Sequence, residues 1–431
     1  MTKYEKASSV VQAKADDAQA YWFEEGYSPG GFIREVDFEA NSKGVHPLFE
    51  GIKIVDCDTH FTEPPDLFTA NAPAGMKDKM PHVKRVDDAD MWFIGDRKFG
   101  SLGGNVIAPD HNKLLGRLAF RKYEDINPGS YLVKPRLAEM DAMGIWAQIC
   151  FHNGGVTQAG SLVALNDDDL ALSVIRIFND ACAERMRESG GRINCMAMLP
   201  YLDKDHLNRE TRRIIDMGIH GVIMPDRPER IGVSGFVGPD GKVSPFWAEF
   251  FEMCEASGTP LNFHLNAGLD ANSAIWDNLG FDQKLPILAL LHHMGCAATM
   301  ANFMVSGILD CYPKLKIGLI ESGSGWVPFV IEAMEHQLDE FRTRENRGLQ
   351  RRPREYLRQF WVSYWFESFA PKHMLGEIGV DRVMFETDYP HPTSLYPGVQ
   401  DKLVETLGGH DYATRKRVLE TNACELYNLK F

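Results

Sequence analysis

Four side chains of metal-binding type stand at the ends of apolar segments of the chain. Asp58 and His60 close the segment KIVDCDTH, His264 ends PLNFH, and Asp388 ends VMFETD. Because alternate residues of a β-strand point to the same side, Asp58 and His60 can bind one ion together. Carboxylate oxygens and imidazole nitrogens suit a divalent transition metal. The four residues predict a single metal centre, with Zn²⁺ as the expected ion and Mn²⁺ or Fe²⁺ as the alternatives.

The same four residues also have structural interpretations. A lone histidine on an apolar strand is more often a hydrogen-bonded core residue than a ligand, and Asp388 could cap the helix that follows it. Metal binding is favoured because the ligand-type residues fall at the ends of strands that the apolar pattern identifies independently.

Eight apolar runs have the length and the flanking residues of buried strands. Four of them follow a helical pattern that ends at glycine, which is typical of a helix C-cap, and lie within residues 140–151, 216–225, 255–264 and 376–388. The other four are residues 53–58, 193–199, 316–321 and 360–366. Most of the eight lead into a helical segment, so the sequence predicts an α/β fold, a (β/α)8 TIM barrel whose strand ends carry the active site. The structural alternative is a doubly wound open sheet, but no GxGxxG turn follows these strands.

Two regions lie outside the βα repeat. Residues 1–50 are predicted to form an N-terminal arm, and residues 51–431 the barrel domain. Residues 65–135 separate the first two strands by more than a βα unit needs, and alternation around Gly95-Asp96 predicts a β-hairpin inserted after strand 1. We interpret this insertion as a lid over the catalytic face, with a plain surface excursion as the alternative.

Composition excludes several classes of partner. The net charge of −14 comes without a dense run of Lys and Arg, so nucleic acid is not an expected partner. The N-terminus has no apolar segment after its charges, and His292 and His293 interrupt the most apolar later stretch, residues 285–309. We therefore expect a soluble cytoplasmic protein without a membrane partner. The eight cysteines form no CxxC pair and are expected to be free thiols.

Four segments resemble the corresponding parts of the amidohydrolase-related family, namely DCDTHFTEPPDLF, PLNFH, YPKLKIGLIESGSGWVPF and FETDYPHPTSLYP. That family includes metal-dependent decarboxylases of aminocarboxymuconate semialdehyde and of hydroxybenzoates, besides hydrolases. The resemblance covers roughly residues 50–428 and implies a (β/α)8 barrel, one Zn²⁺ or Mn²⁺ ion and a homodimer. It also implies that Asp58, His60, His264 and Asp388 are the metal ligands.

One position departs from the family pattern. On strand 6 the decarboxylases tend to have a catalytic histidine followed by glycines, whereas this chain has Glu321-Ser322-Gly323. The missing imidazole favours hydrolysis of a C–N, C–O or C–C bond, in which Asp388 takes a proton from metal-activated water. Glu321 could position the water, bind a substrate cation, act as a second acid or base, or orient a ligand histidine.

Two other functions are open. Non-oxidative decarboxylation of an aromatic or muconate-type acid is the first alternative, because a Glu321 that burial keeps neutral could protonate a ring carbon. A barrel that binds a small molecule without turnover is the second, and the set of ligand-type residues argues against it.

Further residues near the strand ends are candidates for the site. His293, between strands 5 and 6, is a candidate catalytic residue. A guanidinium can bind a substrate carboxylate bidentately, and aromatic side chains can line a pocket for an aromatic or ring-derived substrate. The candidate substrate contacts are Arg227, Trp326, Tyr389, His391, Phe61 and Phe151. Each of them has local packing or hydrogen bonding as its alternative role.

Overall fold

The computed structural model describes residues 32–115, 119–154, 159–265 and 275–431. The strands in this part of the chain are β1 (Phe32–Arg34), β2 (Val55–Phe61), β3 (Pro81–Val86), β4 (Ala89–Ile94), β5 (Arg97–Gly100), β6 (Lys113–Leu115), β7 (Ala147–His152), β8 (Ile193–Cys195), β9 (Val222–Ile223), β10 (Leu261–His264), β11 (Ile317–Ile320), β12 (Phe360–Tyr364) and β13 (Val383–Phe385). Strands β2 and β7 to β13 each overlap one of the eight apolar runs of the sequence.

These eight strands pair in parallel around a barrel. β2, β7 and β8 form one run, and β9 to β13 form the other in chain order. Isolated parallel bridges join the two runs at both seams, Ala197 to Val222 and Thr59 to Tyr389. At the second seam the backbone N–H of His60 donates to the carbonyl of Tyr389 at 2.7 Å. The predicted (β/α)8 barrel is confirmed, and its first and last strands are neighbours at the predicted metal centre.

Helices alternate with the barrel strands along the chain. In the described residues they are α1 (Phe38–Asn41), α2 (Leu67–Ala70), α3 (Val133–Met143), α4 (Ala159–Val163), α5 (Asp168–Glu188), α6 (Lys204–Asp216), α7 (Ala248–Ser257), α8 (Phe281–Val305), α9 (Ile308–Cys311), α10 (Val327–Glu340), α11 (Thr343–Arg347), α12 (Pro353–Tyr356), α13 (Phe369–His373), α14 (Leu375–Ile378), α15 (Val399–Leu407), α16 (Tyr412–Lys416) and α17 (Asn422–Tyr427). Helices α3 and α7 end at Gly144 and Gly258 with φ of 73° and 71°. These are the glycine C-caps that the sequence predicts before a strand.

Helix α8 is apolar enough, by length and composition, to cross a membrane. Its segment Gln283–Val305 has a mean hydropathy of 1.3 and is 39% buried. In the barrel the C-terminal half of the helix faces the core, where Cys296, Met300 and Phe303 are buried. Part of this apolar composition therefore serves core packing. The cytoplasmic location stays a prediction.

Two groups of buried apolar side chains form the core. The larger packs the strands against the surrounding helices. The smaller joins side chains of the barrel strands, among them Val55, Ile320 and Met384, to Leu426 and Tyr427 of α17. The ends of these strands carry the predicted ligands, so the ligands sit on packed elements. All eight cysteines are free thiols, as predicted.

The insertion between β2 and β7 contains the predicted hairpin. β4 pairs antiparallel with β5 through the turn Gly95-Asp96, and β3 adds to β4 as a third strand. Beyond the hairpin, the backbone N–H of Val106 donates to the carbonyl of Pro390 at 3.1 Å. The insertion therefore contacts the loop that follows the last barrel strand.

The described part of the predicted arm packs on the insertion. β1 pairs antiparallel with β6, and the ring of Phe38 stacks on that of His111 with 3.7 Å between centroids. Residues 1–31 lie outside the described residues, so the division of the chain at residue 50 stays a prediction.

Candidate metal centre

The four predicted ligands converge at the mouth of the barrel. Asp58 and His60 lie on β2, His264 ends β10, and Asp388 follows β13. His264 Nε2 lies 3.2 Å from Asp58 Oδ1, and His60 Nε2 lies 3.5 Å from Asp388 Oδ1. Asp58 and Asp388 are 0% and 1% exposed. Carboxylates and imidazoles so close together in a buried place are the donor set of a divalent transition metal.

Three polar atoms of this cluster are buried without a hydrogen-bond partner among the described residues. They are Asp58 Oδ2, His60 Nε2 and Asp388 Oδ1. Buried polar atoms normally have a partner, because leaving one unpaired costs about 1–3 kcal/mol. Each of the three atoms has a lone pair that can bind a cation. These residues therefore fit a divalent ion.

The electrostatics of the cluster also favour a cation. Burial raises the pKa of Asp58 well above its usual range, and the nearby charge of Asp388 raises it further. Burial lowers the pKa of His264 to about 4 and that of His60 well below 6.5, with His391 and His264 adding to the effect on His60. Neutral imidazoles are the form that binds metals. A divalent ion would relieve the repulsion between the two carboxylates.

Neighbouring groups hold the ligands in place. His60 Nδ1 lies 2.9 Å from the carbonyl of His152, which directs Nε2 toward the cluster. The hydroxyl of Thr393 donates to Asp388 Oδ2 at 2.5 Å. The guanidinium of the buried Arg136 donates to the carbonyl of His60. These contacts fix the tautomer of one ligand and the orientation of both.

Backbone conformation turns two carboxylates into the mouth. Glu321 and Asp388 have φ of 52° and 59°, although neither is glycine. Residues in this left-handed region are held there by their surroundings and cluster at functional sites. Glu321 directly follows β11, and Asp388 lies three residues after the end of β13, where such a turn redirects the side chain.

Glu321 and His293 lie beside the cluster. Glu321 is 6% exposed, and its Oε2 lies 3.6 Å from Nε2 of His264. Burial raises the pKa of Glu321 well above its usual range, and the charges of Asp388 and Asp58 raise it further. His293 Nδ1 lies 3.1 Å from the carbonyl of Glu321. Glu321 thus lies next to the predicted ligand His264, and His293 contacts the backbone of Glu321.

Two of the predicted substrate contacts reach the centre. The ring of His391 stacks on that of His60 with 3.8 Å between centroids, and its Nδ1 lies 3.1 Å from Asp388 Oδ1. The ring of Phe151 lies 4.7 Å from that of His264. The structure therefore brings His391 and Phe151 to the cluster of predicted ligands.

The other four predicted contacts lie elsewhere. Phe61 and Tyr389 are 2% and 0% exposed, and their rings pack on buried guanidinium groups, Phe61 on Arg185 and Tyr389 on Arg136. The indole N–H of Trp326 donates to the carbonyl of Ser322 at 2.9 Å. Arg227 lines a separate cavity of about 1000 Å³ with Asp226, Phe236 and Phe303, among others. The structure does not bring these four residues to the metal centre.

The structure adds residues that the sequence reasoning missed. Asn153 lies 2.8 Å from His391 Nε2, and Thr393 bonds Asp388. Asn153 directly follows strand β7 in FHNGG, and Thr393 lies five residues after Asp388 in the same loop. Polar residues directly after a barrel strand are the signal that would have included Asn153. No sequence signal distinguishes Thr393 from an ordinary loop hydroxyl.

Comparisons with known proteins show which sequences and structures this chain is similar to. Gamma-resorcylate decarboxylase of Rhizobium radiobacter is 28% identical over 276 residues, an alignment that covers 59% of this chain and 76% of the relative. An amidohydrolase from Mycobacterium avium subsp. paratuberculosis K-10 has a TM-score of 0.66 at 21% identity, covering 88% of this chain and 99% of its own. A dihydroxybenzoic acid decarboxylase from Polaromonas sp. JS666, solved with manganese and the inhibitor 2-nitroresorcinol, has a TM-score of 0.52 at 19% identity, covering 88% and 97%.

At these identities the two solved structures establish the fold alone. The family assignment comes from the amidohydrolase family model, which matches residues 55–429. This match spans all eight barrel strands and every residue of the metal cluster. The chain therefore belongs to the amidohydrolase family of enzymes.

Proposed function

We propose that this protein is a metal-dependent, non-oxidative decarboxylase of an aromatic carboxylic acid of the hydroxybenzoate class. The sequence alone favours hydrolysis, with decarboxylation as the alternative, and the similarity to gamma-resorcylate decarboxylase supports that alternative. The observation that carries the proposal is the buried cluster of Asp58, His60, His264 and Asp388, with its unpaired acceptor atoms at the barrel mouth.

We assign these four residues as the ligands of one divalent ion. Zn²⁺ remains the expected metal, and the manganese in the related decarboxylase makes Mn²⁺ its main competitor. When bound, the ion would supply positive charge that holds a carboxylate or hydroxyl oxygen of the substrate. The ring of Phe151, 4.7 Å from that of His264, provides an apolar wall for a flat aromatic substrate.

Decarboxylation requires an acid at the ring carbon. The bond from that carbon to the carboxylate breaks, CO2 leaves, and the electron pair takes up a proton. We assign Glu321 as the proton donor because it is buried beside His264, and its backbone N–H is held by Ser363 and Glu386 at 3.2 and 3.1 Å. His293 supports it by bonding its carbonyl. Glu321 then recovers its proton from solvent.

Hydrolysis is the second candidate, and one observation favours it. The family resemblance places Glu321 where the decarboxylases tend to have a catalytic histidine, and a carboxylate beside a predicted metal ligand can accept a proton from water. The two reactions differ in their consumption of water.

The test uses the purified protein loaded with Mn²⁺ or Zn²⁺ and a panel of hydroxybenzoates that includes 2,6-dihydroxybenzoate. We expect equal amounts of CO2 and decarboxylated phenol, with one deuterium on the ring when the reaction runs in D2O. Turnover of an ester, amide or ring-cleavage product with ¹⁸O incorporated from labelled water, and no CO2 from any acid, would favour the hydrolase. Absence of metal after reconstitution would overturn both candidates.

We also propose a homodimer with a small-molecule substrate and no nucleic-acid partner. Light scattering of the purified 48.6 kDa chain tests the homodimer directly, with a particle of twice that mass as the expected result.

A further inference from the structure

A chain of hydrogen bonds connects the insertion to His391 at the metal centre. The amide nitrogen of Asn105 donates to the carbonyl of Leu102 at 2.8 Å, and the hydroxyl of Thr62 donates to Asn105 Oδ1 at 3.1 Å. Asn153 Nδ2 donates to the Thr62 hydroxyl at 2.7 Å, and Asn153 Oδ1 lies 2.8 Å from His391 Nε2.

The direction of each bond follows from the one before it. A backbone carbonyl only accepts hydrogen bonds, so the side-chain amide of Asn105 must direct Nδ2 to the carbonyl of Leu102 and Oδ1 to the hydroxyl of Thr62. The hydroxyl of Thr62 uses its single proton on that oxygen and therefore accepts from Asn153. Asn153 is left with its carbonyl oxygen facing His391. Nε2 of His391 must carry a proton.

In neutral His391 a protonated Nε2 leaves a lone pair on Nδ1. Nδ1 lies 3.1 Å from Asp388 Oδ1, which is also an acceptor and is buried without a hydrogen-bond partner. The same oxygen lies 3.5 Å from the unpaired Nε2 of His60. With Nδ1 in this unprotonated form, three acceptor atoms on His60, Asp388 and His391 converge, and their lone pairs repel one another unless a cation lies among them.

We propose that His391 is a further ligand of the divalent ion, through Nδ1, and that Asn153 is the positioning residue that fixes its tautomer. This inference rests on the metal centre assigned above. One ligand atom each of His391, His60 and Asp388 lies within 4.8 Å of the other two. An acceptor on the second ring nitrogen is the usual arrangement around a ligand histidine.

The packing around His391 supports a fixed ligand. One face of its ring stacks on His60 at 3.8 Å, with 18° between the ring planes. The insertion approaches the ring so closely that a Cβ on Gly104 would lie 2.8 Å from His391 Cδ2, and one on Gly103 would lie 2.5 Å from Asn153. A ring confined in this way loses little freedom on binding an ion, as preorganisation requires.

The experiment loads the full-length protein with Mn²⁺ alone. Pulsed EPR counts the imidazole nitrogens bound to the ion, and competition with a fluorescent chelator gives its Kd. We expect three bound nitrogens in the wild type and two in His391→Phe, with Mn²⁺ binding weakened at least about tenfold. Asn153→Leu should weaken binding by about 10- to 100-fold, and Asn153→Asp, which keeps an acceptor oxygen, should remain close to the wild type. His336→Phe, which removes an exposed histidine, is the control and should change neither value.

The possible outcomes separate a failure of the proposed role of His391 from a failure of the metal centre itself. Two bound nitrogens in the wild type, with an unchanged Kd in His391→Phe, would overturn the role of His391 and leave the four-residue centre intact. No Mn²⁺ binding by the wild type would overturn the centre and the proposed function together. The nitrogen count of the wild type does not depend on any variant, and circular dichroism of each variant checks that it is folded.

Discussion

Gly104 has no side chain that could bind a metal or a substrate. We nevertheless expect that adding one methyl group there, in Gly104→Ala, disturbs the metal centre. Its backbone φ lies outside the left-handed region, so alanine causes no backbone strain there. The new Cβ would lie 2.8 Å from His391 Cδ2 and 3.2 Å from its Nε2, where ordinary contacts begin at 3.4 Å. The ring would have to retreat by about 0.6 Å, the difference between 3.4 and 2.8 Å, although the ring of His60 is already stacked on it at 3.8 Å.

The size of the effect follows from this displacement. Overpacking of this kind costs about 1–3 kcal/mol of stability. A misplacement of about 1 Å at a site can cost roughly 100-fold in rate, so we expect Gly104→Ala to lower kcat by about 10- to 100-fold in the CO2-release assay. Gly376→Ala is the matched control, because its Cβ would meet nothing within 4 Å and its φ is ordinary. We expect unchanged activity and no loss of thermal stability, because alanine is favoured over glycine within a helix such as α14.

The same substitution in a His391→Ala protein tests whether the steric clash with the His391 ring causes the effect. In His391→Ala the ring is gone, and the added methyl group of Gly104→Ala should no longer reduce the free energy of unfolding. The reasoning is refuted if Gly104→Ala has wild-type activity and stability, or if it destabilises the His391→Ala protein as much as the wild type. Either result would mean that the insertion does not constrain the centre through His391.

Three further predictions concern the centre and its surroundings. The wild type should hold about one equivalent of a transition metal by elemental analysis, and Asp388→Ala and His264→Ala should each hold much less. Glu321→Gln should retain the metal but lose about 10²- to 10⁴-fold in turnover, because the amide cannot donate the proton; full activity would exclude Glu321 as the acid. Burial lowers the pKa of Lys113 from 10.5 to about 8, so between these values the unfolded chain binds a proton that the folded chain releases. Stability in urea should therefore rise with pH from about 8 to 10.5, by up to about 3 kcal/mol relative to Lys113→Met, and parallel pH curves for the two proteins would contradict this.

The barrel and the convergence of its four ligand-type side chains could be predicted because their signals are local. Buried parallel strands are short apolar runs, and glycine C-caps mark where several of them begin. Residues at strand ends meet at one face of a barrel whatever their distance along the chain. Asp58, His60, His264 and Asp388 are therefore assigned to one cluster without coordinates. The hairpin at Gly95-Asp96 is likewise a short-range pattern.

The substrate contacts are harder to predict from sequence, because adjacent residues at a strand end can point to opposite sides. Alternation along β2 already places Phe61 on the side opposite to His60, and the structure has it packed on Arg185. In the loop after β13, a positive φ at Asp388 precedes a buried Tyr389 and a His391 that stacks on His60. From the sequence alone, Tyr389 and His391 are equally good candidates for the site. Only the path of the loop shows that His391 lies beside His60 and that the Tyr389 ring packs elsewhere.

The βα order, the candidate ligands at the strand ends and the position of the hairpin can be predicted from sequence alone, since each depends on periodicity or on a turn within a few residues. The tertiary structure decided which polar groups become partners across long stretches of chain. The insertion folds back against the loops after β7 and β13. Gly104 therefore lies close to the His391 ring, and Asn105 orients Asn153 through Thr62. Contacts of this kind depend on packing between distant segments, which no local pattern encodes.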